Sequence, residues 1–124
     1  MNIVDSSGWL EYFADGPNAN LFAPVIADTE HLLVPVIILY EVFKRVLQQR
    51  GEADALQAVA AISQGQIINV TQSLALNAAK LSAELRLPMA DSLILATARA
   101  YRAVVWTQDA DFKGLPEVQY VEKL

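Results

Sequence analysis

Ala103-Val104-Val105-Trp106-Thr107-Gln108-Asp109 is an apolar, β-branched run that leads into a carboxylate, and Met1-Asn2-Ile3-Val4-Asp5 repeats that plan at the other end of the chain. Runs of this kind read as short buried strands. A carboxylate just past each one stands at the C-terminal end of its strand, which is the edge where open parallel sheets bind their ligands. Working outward, strand-like and helix-like segments alternate, and that alternation indicates a parallel sheet.

Ser6 or Ser7 can cap a short helix that runs through Tyr12 and stops at the Asp15-Gly16-Pro17-Asn18 turn. A second short helix is expected around Asn20 to Ala27, and a strand from His31 to Pro35. Val36 to Arg50 reads as helix, ended by Gly51, and Glu52 to Ser63 as another. Gln66 to Val70 reads as strand, and Thr71 as the cap of a helix to about Arg86. Pro88 opens a helix over Met89 to Tyr101, and a last strand covers Val118 to Val121. With 124 residues, 54% of them hydrophobic, and no linker or repeat, one domain spanning 1–124 is expected.

Composition narrows the chemistry. There is no cysteine and a single histidine, His31, so disulfides, thiolate zinc sites and histidine-based zinc centres are excluded, and any metal has to be held by oxygen. No apolar run approaches the length of a membrane span, and the start of the chain has no basic region followed by an apolar core; a cytoplasmic protein is expected. The net charge of −5 argues against broad attraction to a polyanion.

Four carboxylates stand where strand and helix ends of such a fold meet: Asp5, Glu41, Asp91 and Asp109. That placement suggests a divalent-metal site. Each also has a plainer reading: Asp5 as a helix cap, Asp91 as a first-turn residue favoured by the helix dipole, Asp109 and Asp111 as turn residues. Glu41 shares a helix face with Lys44, Arg45 and Gln48, which looks like a solvated face with an i,i+4 pair to Arg45. Ile37 and Ile38 flank it, however, and a carboxylate among apolar groups needs a partner. Ser6 and Thr107 could orient water or phosphate, or serve only as backbone partners. Trp106 is expected in the core, and His31 in an exposed turn.

The whole pattern resembles the PIN-domain nucleases, in particular the VapC-type toxins of toxin-antitoxin pairs. The resemblance rests on Ile3-Val4-Asp5-Ser6-Ser7, on Glu41 in the first long helix, on Asp91-Ser92-Leu93-Ile94-Leu95-Ala96-Thr97-Ala98, and on Thr107-Gln108-Asp109-Ala110-Asp111-Phe112. It implies a Rossmann-like α/β/α sandwich with a central, mainly parallel sheet of four or five strands. It also implies metal-dependent endoribonuclease activity, an antitoxin protein as inhibitor, and a homodimer. Within it, Asp5, Glu41, Asp91 and Asp109 match the acidic catalytic quartet, and Asp111 matches a further acidic position among the metal ligands. Mg²⁺ is the expected cofactor, with Mn²⁺ as a substitute: carboxylates suit a hard cation, and two ions about 4 Å apart stabilise both the entering and departing oxygens of a phosphodiester. They would also offset most of the net negative charge, leaving Lys44, Arg45, Arg86, Arg99 and Arg102 as candidates for a basic rim that holds RNA. The alternatives are an RNA-maturation nuclease without an antitoxin and a non-catalytic protein-binding module.

Overall fold

A computed structural model describes residues 1–124 and has five short strands and six helices. The strands are β1 (Asn2–Val4), β2 (Leu33–Pro35), β3 (Gln66–Ile68), β4 (Val104–Thr107) and β5 (Val118–Tyr120). The helices are α1 (Ser6–Phe13), α2 (Ala19–Ala27), α3 (Val36–Arg50), α4 (Glu52–Ile62), α5 (Gln72–Leu85) and α6 (Met89–Tyr101). This is the expected α/β/α plan, with helix and strand boundaries within a few residues of those the sequence predicts.

Every ladder is parallel. One sheet runs β1-β4-β5 and a second pairs β2 with β3, and a single bridge between Asn2 and Leu32 joins them. The strand order is therefore β3-β2-β1-β4-β5, with a thin seam between β2 and β1. Ile3, Val4, Val34 and Val105 are fully buried in the sheet, as expected of strands covered by helices on both faces. Ile38, Val42 and Val46 of α3 and Ile94, Leu95 and Ala98 of α6 close over them. No helix is long and apolar enough to cross a membrane.

Two local expectations change. The cap of α1 is Asp5, whose carboxylate accepts the Gly8 N–H at 3.0 Å, rather than Ser6 or Ser7, which lie inside the helix. The anticipated Glu41–Arg45 pair does not form; Glu41 instead accepts a hydrogen bond from Ser6 Oγ at 2.5 Å. Thr71 caps α5 as expected, accepting the Leu74 N–H, and His31 lies in an exposed 3₁₀ turn against Asp28.

Gly8 lets α1 sit directly on β1. A Cβ at this position would lie 2.6 Å from Val4 Cγ1 and 2.9 Å from Phe22, both buried side chains with no room to retreat. Gly8→Ala is therefore expected to destabilise the protein by about 1–3 kcal/mol despite the better helix propensity of alanine. Thermal denaturation measures this, and an unchanged or raised melting temperature would contradict the packing.

Candidate metal centre

Parallel strands that start together also end together. β1 and β4 are in register from Asn2↔Val104 to Val4↔Trp106, and the Asp5 N–H extends the ladder to the Trp106 carbonyl at 3.1 Å. Asp5 and the Thr107–Asp109 segment thus leave the sheet side by side. α3 starts directly after β2, so its second turn brings Glu41 to the same edge, and the first turn of α6 brings Asp91. Asp109 caps the 3₁₀ turn Ala110–Phe112 by accepting the Asp111 N–H at 2.9 Å, and the fully buried Phe112 anchors that turn.

Carboxylate oxygens of Asp91, Asp109 and Asp111 lie within 4.8 Å of one another, grading from buried through half-buried to exposed. Asp5 and Glu41 fall outside this tight trio, yet both are near enough to act on Asp91 electrostatically. By sequence, Asp111 is an accessory to the other four. In the fold it stands in the tightest cluster, while Asp5 and Glu41 flank it.

Asp5 and Asp91 differ in how their charge is met. Asp5 is buried, and that burial pushes its carboxyl up to about 6, although three donors pull the other way. Thr107 Oγ1 donates to Oδ2 at 2.7 Å, while Ser7 Oγ at 2.7 Å and Gly8 N at 3.0 Å both donate to Oδ1. Four lone-pair sites less three donors leave one open position, on Oδ2. Asp91 has no such donors. Burial, then the charges of Asp109, Asp5, Asp111 and Glu41, push it up to about 8, with no hydrogen bond opposing them.

Thr107 is fully buried and bridges the site, donating to Asp5 while accepting the Asp109 N–H at 2.9 Å. Both hydroxyl functions are thereby used inside the protein, which places Thr107 behind the carboxylates. Ser6 is likewise engaged with Glu41. Ser7, Gln108 and Asn18 support the site in ways the sequence does not signal. Ser7 Oγ accepts the Gln108 N–H at 3.2 Å, and the buried Asn18 donates to Gln108 Oε1 and to the Glu122 carbonyl, both at 3.0 Å. An isolated Asn after a Gly-Pro turn carries no local mark of a contact ninety residues away.

The candidate basic residues scatter. Lys44 and Arg45 line a cleft with Ser6 and Glu41. Arg99, in contrast, pairs with Glu117, and Arg102 ends α6 in the left-handed conformation (φ 53°). Eleven residues of helix separate Arg102 from Asp91, which at 1.5 Å per residue puts it about 17 Å from the cluster, at the far end of the sheet. Arg86 ends α5 with φ 57°, in the link that leads to Pro88 and the start of α6. Trp106 is half-buried, and its indole N–H donates to Asn2 Oδ1 at 3.0 Å, so it serves packing rather than base stacking.

The donor set fits a hard divalent cation. All five groups are carboxylates, three of them converge, and one of those is a buried carboxyl that no hydrogen-bond donor meets. A family model described as PIN domain matches residues 3–118. No curated relative matches the chain by sequence. Among solved structures, the chain is similar to a toxin-antitoxin complex from Klebsiella pneumoniae, with 26% identity over 96% of each chain and a TM-score of 0.80. It shares its fold with VapBC2 from Rickettsia felis bound to a promoter DNA fragment, at 17% identity over 98% of this chain and 97% of that one, TM-score 0.74. It also shares it with VapC20 from Mycobacterium tuberculosis, a toxin that cleaves the sarcin-ricin loop, at 19% identity over 95% and 98%, TM-score 0.73.

Proposed function

The chain belongs to the PIN domain family, and on that premise we propose that it is a divalent-metal-dependent endoribonuclease and the toxin of a toxin-antitoxin pair. The observation that carries this reading is Asp91, a buried carboxylate surrounded by four others and met by no protein donor. Such a site is stable in its ionised form only with a cation. In the proposal Asp91, Asp109 and Asp111 hold Mg²⁺, or Mn²⁺ in its place, and Asp5 offers its one open lone pair on Oδ2. When bound, the ion supplies positive charge for the phosphodiester's developing negative charge and makes water a better nucleophile.

The chain's own residues do the rest. Ser7, Thr107 and the Gly8 N–H hold Asp5 in one orientation, and Ser6 does the same for Glu41. Glu41, half-buried and outside the tight trio, is the carboxylate best placed to accept a proton from the attacking water. Arg45, in the clefts beside both Glu41 and Asp109, is placed to hold a phosphate next to the reacting one. Purified protein incubated with total RNA tests the proposal directly. Cleavage in Mg²⁺ that EDTA stops and added Mn²⁺ restores is the expected result, and RNA left intact in both metals sinks it.

The toxin reading draws on the structural likeness to toxin-antitoxin complexes. It takes the free protein to be a homodimer, which sedimentation measures, and the inhibitor to be a cognate antitoxin. An acidic pocket attracts a cationic side chain where it would otherwise hold metal, and arginine can bridge two carboxylates at once. The antitoxin is therefore expected to place an arginine or lysine among Asp5, Glu41 and Asp91. Replacing that cation should relieve inhibition by a larger factor than it weakens binding. Full inhibition by a partner with no basic residue near these carboxylates would refute this mode of control and leave the nuclease assignment standing.

A further inference from the structure

Asn18 stands at the N-cap position of α2, where an asparagine side chain ordinarily accepts a helix N–H, yet it makes no such bond. The residue is buried and its amide is turned elsewhere. Nδ2 donates at 3.0 Å both to Gln108 Oε1 and to the Glu122 carbonyl. A backbone carbonyl only accepts, so the Glu122 contact fixes which end of the Asn18 amide is nitrogen, and Gln108 must then present its oxygen. Three distant segments meet on this one group: the turn before α2, the loop after β4 and the tail beyond β5. The turn is built to present it. Glu11 Oε2 accepts the Asn18 N–H at 2.8 Å, and the same carboxylate lies over Gly16, where a Cβ would stand 2.3 Å from Glu11 Oε1. The Asn18 backbone is thus held from α1, which leaves its side chain to bridge. On the far side, the Gln108 N–H is taken by Ser7 Oγ, which donates in turn to Asp5. The Val121 N–H donates to the Thr107 carbonyl at 3.0 Å, so the tail follows the loop up to the point where Asn18 holds Glu122.

We propose that Asn18 is a positioning residue for the metal centre: by tying Gln108 to the Glu122 carbonyl it fixes the peptide that leads into Asp109 and so aims that carboxylate at the cluster. This rests on the metal-dependent nuclease reading and adds to it a residue outside the ligand set. Asp109 Oδ1 accepts the Asp111 N–H and the Asp109 N–H goes to Thr107 Oγ1, so the direction of its remaining acceptor positions is set by the rotation of the 108–109 peptide. With Gln108 pinned at its side chain by Asn18 and at its N–H by Ser7, that rotation is closed off. Without the clamp, the buried Gln108 side-chain oxygen and the Glu122 carbonyl both lose their Asn18 donor, and the loop must shift to find another.

Asn18→Ala and Asn18→Asp separate this role from capping, because aspartate is as good a helix cap as asparagine but has no N–H to give to the Glu122 carbonyl. Mn²⁺ affinity, measured by electron paramagnetic resonance titration of the metal-free protein, is expected to fall about tenfold in both variants, the lower end of the range for groups that orient metal ligands. On RNA, kcat should fall by a similar factor, with KM changed less than about twofold. Gln108→Ala leaves α2 and its cap position untouched, should reproduce these losses, and decides the outcome if the Asn18 variants fail to fold. The double variant Asn18→Ala/Gln108→Ala should be no worse than the more affected single one, since both break the same link. Wild-type Mn²⁺ affinity in Asn18→Asp reduces Asn18 to a helix cap and overturns the proposal, and so does wild-type affinity in Gln108→Ala; the nuclease reading survives either result as long as the wild type cleaves RNA. Tenfold weaker Mn²⁺ binding in the variants of a protein that cleaves no RNA would instead retain the clamp and sink the nuclease reading.

Discussion

Asp91→Asn is expected to lower RNA cleavage by at least about a hundredfold, the scale of removing a principal electrostatic element from a site, while the folded state survives. The substitution keeps side-chain volume and discards a charge that no protein donor meets, so nothing in the metal-free fold depends on it. Asp5→Asn should cost as much activity but is the less clean experiment. Asp5 accepts from Ser7, Thr107 and Gly8 and caps α1, and an amide turned toward Thr107 would force that hydroxyl to give up one of its two bonds. Loss of melting temperature should therefore accompany Asp5→Asn and be absent from Asp91→Asn. Cleavage within tenfold of wild type by well-folded Asp91→Asn would remove this residue from the mechanism.

The second large effect concerns stability. Mg²⁺ or Mn²⁺ should raise the melting temperature of the wild type, because the ion binds the folded cluster and not the unfolded chain. Asp91→Asn or Asp109→Asn should abolish that gain, and Asp91→Asn should raise the melting temperature of the metal-free protein by removing an ionisable group that burial and neighbouring like charges disfavour. The pH dependence has a definite sign. Asp91 is raised from 3.8 to about 8, so between those values the folded protein retains a proton that the unfolded chain has released. Its contribution is fully present below about pH 4 and is lost as pH rises to about 8; Asp5, raised to about 6, adds to the decline over the lower part of that range. Without metal the melting temperature should thus fall across this window, and the fall should be shallower in Asp91→Asn. Metal reverses the trend, since protons compete with the ion, and its stabilising effect grows with pH. Equal shifts in wild type and mutants at millimolar metal would place the ions elsewhere.

The order of strands and helices is legible along the chain because each element is marked locally. Val-rich runs such as Ala103–Thr107, the caps Thr71 and Gly51, and Pro88 act within a few residues and need no distant partner. The acidic residues are legible for a related reason: Asp5 and Asp109 stand beside strand ends and Asp91 in a first helical turn, positions that a parallel sheet gathers at one edge whatever the side chains between them. What folding alone decided is how those carboxylates divide. Distance and solvent access separate the trio of Asp91, Asp109 and Asp111 from Asp5 and Glu41, and neither quantity is carried by sequence spacing. The same holds for donors. Thr107 reaches Asp5 across 102 positions and Asn18 reaches Gln108 across 90, so hydroxyls and amides that look like ordinary turn and cap residues become the groups that orient the site. Arg99 and Arg102 went the other way, carried by the rigid length of α6 to the end opposite the cluster. Local propensity is a property of neighbours along the chain, whereas burial, charge repulsion and hydrogen-bond supply depend on which surfaces the packed core brings together.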